Sequence, residues 1–94
     1  VFLMSDKEIV RGAEAERILK HEIFVEAFDK VRNGIINAMT NSPMGDEKTH
    51  NRLVIAMQLL NQIEKQIQEV ATTGKLAAIQ VNESHPILRK IGIR

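Results

Sequence analysis

Leu53-Val54-Ile55-Ala56-Met57-Gln58-Leu59-Leu60-Asn61-Gln62-Ile63-Glu64-Lys65-Gln66-Ile67-Gln68-Glu69-Val70 is the stretch whose spacing decides the fold class. Leu53, Ala56, Leu60, Ile63, Ile67 and Val70 step by three and four in turn. That spacing lays apolar side chains along one stripe of an α-helix, and a repeat of about 3.5 residues forms a seam for another helix. Upstream, Phe24, Phe28, Val31, Ile35 and Ala38, with Met39 beside them, form a second seam within the same chain. The expected fold is all-α: a long antiparallel, coiled-coil-like helical hairpin over about residues 22–73, with a shorter N-terminal helix and an extended C-terminal tail.

Punctuation residues place the boundaries. Ser5-Asp6-Lys7-Glu8 fits a capping box, which predicts a first helix from about Asp6 to Lys20 with Ile9, Ala13, Ile18 and Leu19 as its apolar face. Gly12 either weakens this helix by about 1 kcal/mol relative to Ala or marks a close helix crossing. The apolar spacing breaks at Lys20-His21-Glu22. The turn residues Asn41-Ser42-Pro43-Met44-Gly45-Asp46 end the second helix, with Asp46 able to cap the third. Such a short connection implies antiparallel neighbours. Thr72-Thr73-Gly74 predicts a C-terminal stop, with Gly74 in the cap position and Lys75 near the negative end of the dipole, and Lys75 to Val81 can add another helical turn or two. The overhang of the third helix beyond the second must then meet the first helix or another subunit. The chain therefore divides into a helical oligomerisation domain over residues 1–82 and a tail over residues 83–94.

Composition narrows the function. At 94 residues a single core offsets chain entropy only marginally, so self-association is expected to contribute. Aromatic residues are 3% of the chain, all Phe, too few for a stacking platform on single-stranded nucleic acid. The absence of cysteine removes disulfides, thiolate metal sites and cysteine nucleophiles. Val1-Phe2-Leu3-Met4 lacks a basic start and is too short for a signal or membrane segment, which predicts a soluble intracellular protein with Met4 as a candidate natural start. Net charge is +1, but residues 74–94 carry four basic side chains and one acidic.

No residue cluster suggests catalysis or a bound cofactor. His21, His50 and His85 are scattered and read as exposed side chains, since a metal needs at least three convergent donors. Glu14, Glu16, Glu22, Glu26 and Asp29 read as a solvated face, with Glu26 and Lys30 a favourable helix pair. An enzyme is therefore not expected, nor a cofactor or metal. Gln58, Gln62 and Gln66 form a polar row flanked by Ile55 and Leu59, either a neutral solvent face or a subunit interface. The partly apolar character favours the interface. In the tail, Ile87, Leu88, Ile91 and Ile93 accompany Arg89, Lys90 and Arg94. This segment reads either as a terminus frayed or packed back on the hairpin, or as a docking peptide for a partner bearing acid or phosphate.

Val10-Arg11-Gly12-Ala13-Glu14-Ala15-Glu16-Arg17-Ile18-Leu19, Phe24-Val25-Glu26-Ala27-Phe28, Asn41-Ser42-Pro43 and Glu69-Val70-Ala71-Thr72-Thr73-Gly74-Lys75-Leu76-Ala77 resemble short all-helical proteins of tailed bacteriophages. Proteins of that group belong to DNA packaging and head assembly, and some look like reduced small terminase subunits. The resemblance implies a homo-oligomer, a ring in small terminases, that engages viral DNA or the large packaging ATPase through its C-terminal segment. It implies residence in the host cytoplasm or the virion, without a membrane. No helix-turn-helix precedes the hairpin, so no DNA-contacting residue carries over. The alternatives are a head-assembly, connector or adaptor protein docking on a larger phage packaging or capsid protein, and a phage inhibitor of a host protein.

On the seam as read here, Leu60→Ala and Ile63→Ala each cost about 2–5 kcal/mol in chemical denaturation, whereas His50→Ala costs little.

Overall fold

The structure, a computed structural model, describes residues 2–83, and all its regular structure there is helical. Three helices follow one another: α1 (Phe2–Lys20), α2 (Glu22–Asn41) and α3 (Glu47–Glu83). The chain divides into two compact units, residues 1–17 with 67–94 and residues 18–66. The first therefore rests on α1 and the C-terminal part of α3, and the second on α2 and the N-terminal part of α3. No helix among the described residues is long and apolar enough to cross a membrane.

The breaks between helices have local causes. His21 is extended (φ −66°, ψ 129°) and its Nδ1 accepts from the Ile23 amide at 3.2 Å, so it is the N-cap of α2. Ser42 leaves helical geometry ahead of Pro43 (ψ 145°), and its hydroxyl donates to the Ala38 carbonyl at 2.6 Å. Asp46 caps α3 as expected: its carboxylate accepts from the Thr49 amide at 3.1 Å and from the Thr49 hydroxyl at 2.7 Å. These bonds, the hydroxyl's foremost, lower the Asp46 pKa below the ordinary carboxylate value.

Two boundaries differ from the sequence reading. α1 begins at Phe2, which places Ser5 inside the helix and removes the capping box. α3 continues without a stop through Thr72-Thr73-Gly74 to Glu83. Gly74 is therefore not a cap, and Lys75, away from any helix end, pairs with Glu16 at 2.8 Å.

The reason for Gly74 lies in the first unit. A Cβ on Gly12 would come within 2.6 Å of the Gly74 Cα, and one on Gly74 would come within 2.9 Å of the Glu8 carbonyl oxygen. The two glycines let the backbones of α1 and α3 touch, so Gly12 marks a close crossing and the overhang of α3 finds the first helix. Ala15, Ala71 and Ala77, each at most 6% exposed, are the buried apolar residues of this unit. Small side chains line the crossing because larger ones would hold the helices apart. Ala13 and Ile18, expected on the α1 face, are exposed instead.

In the second unit no residue is fully buried. The half-buried positions on α2 are Phe24, Phe28, Arg32, Ile35 and Met39, and those on α3 within this unit are Thr49, His50, Leu53, Ala56, Met57, Leu60 and Glu64. The Phe24 and Phe28 rings lie 4.4 Å apart between centroids. Val31, Ala38 and Ile63, expected on the seam, are exposed; Arg32, Met39 and Glu64, one position later, take their places.

Two stability outcomes follow. Leu60→Ala should cost about 2 kcal/mol in urea denaturation, the low end for aliphatic truncation because Leu60 is only half-buried. Ile63→Ala should cost much less, since Ile63 is 53% exposed. Gly12→Ala or Gly74→Ala should destabilise by about 1–3 kcal/mol despite Ala's better helix propensity, because the added methyl meets backbone that cannot rotate away. Thermal melts of the two variants check this, and a raised midpoint would mean the backbones do not touch.

Candidate partner-binding surface

The residues expected to form an interface lie on the N-terminal part of α3, within the second unit. Ile55 and Leu59 are 54% and 60% exposed, and Gln58, Gln62 and Gln66 are exposed beside them. Ile63 joins this surface, being four residues from Leu59 and pointing away from the α2 contact. On α2, Val31 is 50% exposed and Ala27, Gly34 and Ala38 are exposed. A Cβ added to Gly34 would meet nothing within 4 Å. The tail residues Ile87, Leu88, Arg89, Lys90, Ile91 and Arg94 lie outside the described residues.

Arg32 is the polar centre of this unit. Its guanidinium donates to the Asn61 side-chain oxygen at 3.2 Å and to the Glu64 carboxylate at 3.0 Å. A longer ion pair joins it to Asp29 at 3.9 Å. The Arg32 and Glu64 side chains are 28% and 31% exposed, so the pair is partly shielded from solvent. Sequence reading missed it because a periodicity search scores apolar residues, and an ion pair inside a seam appears there only as a gap. Glu26 and Lys30, 3.8 Å apart, form a solvated pair on the same helix.

Two concavities lie among the described residues. One of about 370 Å³ opens beside Met44, Glu47, His50 and Asn51, and His50 is half-buried there rather than exposed as expected. Another, of about 170 Å³, runs along the α1–α3 crossing beside Gly12 and Gly74 in the first unit. Among the described residues no group of three or more His, Cys, Asp or Glu side chains is placed to hold a metal ion. His21, a candidate donor by residue type, uses its Nδ1 as a helix cap.

The surface of the second unit offers aliphatic contact, long amides and ion pairs. No family model, no curated protein and no solved structure matches this chain.

The Arg32–Glu64 contact is measurable by itself. A double-mutant cycle with Arg32→Met and Glu64→Gln should give a coupling of about 1 kcal/mol, because partial shielding lifts the pair above a typical surface ion pair. A coupling indistinguishable from zero at low salt would mean the two groups are solvated independently.

Proposed function

We propose that this chain is a non-enzymatic assembly protein, in which an antiparallel α2–α3 hairpin builds a homo-oligomer and residues 83–94 dock on a larger partner. The observation that carries this reading is the mismatch between what is buried and what is exposed. Among the described residues the buried apolar side chains are Ala15, Ala71 and Ala77, while thirteen large hydrophobic residues are at least 42% exposed. Exposed apolar surface in this quantity is costly for an isolated chain and is removed by association. Ile55, Leu59 and Ile63, in an i, i+4 row, supply much of it on α3.

The narrower proposal is a DNA-packaging component like a reduced small terminase subunit, supported by the sequence resemblance and by the helical architecture. On this proposal the oligomer engages viral DNA, the large packaging ATPase, or both. The four basic and one acidic side chains of residues 74–94 support a partner that presents phosphate or carboxylate.

Light scattering on the purified chain should return a mass that is a multiple of 10.6 kDa. Added duplex DNA should bind with an affinity that falls steeply as salt rises if phosphate is the partner's chemistry. A mass of 10.6 kDa at every concentration would remove the assembly reading. An oligomer that ignores DNA would retain assembly and point the tail to a protein partner.

A further inference from the structure

The assembly reading does not say which face of the second unit meets another chain, and the Arg32 contact provides the means to decide. Arg32 reaches Asn61 and Glu64 on one side of the α2–α3 seam. Successive helical residues are turned by about 100°, so Val31 and Ile63, each one position earlier, leave the seam on the opposite flank. A five-residue connection, 42–46, makes α2 and α3 antiparallel. In antiparallel helices one position earlier on both means the same flank. From Val31 this flank continues along α2 to Ala27, Gly34 and Ala38, and from Ile63 along α3 to Leu59 and Ile55.

We propose that this flank is the contact surface for a second copy of the chain, two α2–α3 hairpins packing together as four helices. The inference rests on the assembly reading and adds the face. Three properties favour a second copy over another occupant. A two-fold contact sets a patch against itself, so any charge in it would meet its own kind. This row carries no charged side chain from Ala27 to Ala38 or from Ile55 to Gln66, whereas the opposite flank holds Asp29, Arg32 and Glu64.

Spacing is the second property. Ala27, Val31, Gly34 and Ala38 step by four, three and four, the heptad pattern of a helix seam, and they form it beside the one already occupied by Phe24, Phe28, Ile35 and Met39. Extent is the third. Val31, Ile55, Leu59 and Ile63 are each at least half exposed, so aliphatic surface on both helices would leave water in the same contact. Gly34 and the two alanines allow a facing helix to come close to α2, as open space around Gly34 requires. A nucleic acid would find only Lys30 and Arg52 at the edges of this row, too few cations for phosphate contacts to dominate, and a charged peptide no run of counter-charge.

The experiment is light scattering on the full chain with glutamate placed on each flank. Val31→Glu and Leu59→Glu should weaken association at least tenfold and bring the mass down to 10.6 kDa, with helicity retained by circular dichroism because both positions face solvent in the single chain. Val25→Glu and Ile36→Glu, also exposed but on the Arg32 flank, should leave the mass unchanged. Since the chain has no cysteine of its own, Ala27→Cys, Gly34→Cys and Ala38→Cys provide an independent measurement. At least one of them should form a covalent dimer on mild oxidation, and Ile36→Cys should not.

An oligomer that survives both Val31→Glu and Leu59→Glu, with none of the three cysteines cross-linking, would overturn the face while leaving assembly intact. A wild-type mass of 10.6 kDa would overturn both, whether residues 84–94 or a different protein covers the flank. Loss of helicity in the glutamate variants would pass the decision to the cysteines alone.

Discussion

Two α-helices lying side by side bury only the strip along which they touch, and everything distinctive in this structure follows from that constraint. A layer one helix thick has no interior, and stable domains ordinarily pack a second layer on the first. Each unit meets the constraint in its own way. In the first, Gly12 and Gly74 bring two backbones into contact, and the short reach between the helices lets Ala15, Ala71 and Ala77 become buried. In the second, larger aliphatic and aromatic side chains make the seam, and none of its residues is fully enclosed.

The energetics of the two solutions differ. Close packing at the glycine crossing relies on many small van der Waals contacts and tolerates no added atom, because the neighbours are main chain. The α2–α3 seam relies on larger side chains that remain partly wet, so each contributes less than it would in a closed core. Arg32 and Glu64 fit such a half-wet seam: full burial would impose a desolvation penalty that their attraction need not offset, while partial exposure keeps both hydrated. The same openness leaves Ile55, Leu59 and Ile63 facing water.

Helix content and the two breaks were legible in the sequence because each has a local cause. The interruption at Lys20-His21-Glu22, the turn before Asp46 and the Asp46 cap depend on residues within a few positions of one another. The end of α3 was not legible, because Gly74 has two meanings that look identical in sequence. A glycine after a helical run serves as a cap or as a point of close approach, and only the presence of Gly12 across the crossing distinguishes them. Similarly, nothing local told Ser5 that it would lie inside a helix starting at Phe2.

Apolar spacing puts Val31, Ala38 and Ile63 on the seam, one position before the half-buried Arg32, Met39 and Glu64, and the difference has a physical cause. A search for apolar spacing takes the path of greatest hydrophobicity, and here that path passes over Arg32 and Glu64 to the aliphatic residues beside them. Two apolar stripes run next to each other on both helices, one turned to the neighbouring helix and one turned to solvent. Merging them yields a single seam more regular than either. A single helix pair needs one stripe, and an aliphatic side chain in the second stripe is stabilised only if something removes it from water. Substituting polar residues there would cost the isolated pair almost nothing. On the proposed contact with a second copy of the chain, valine, leucine and isoleucine at these positions are the residues that gain most, because that contact takes them out of water.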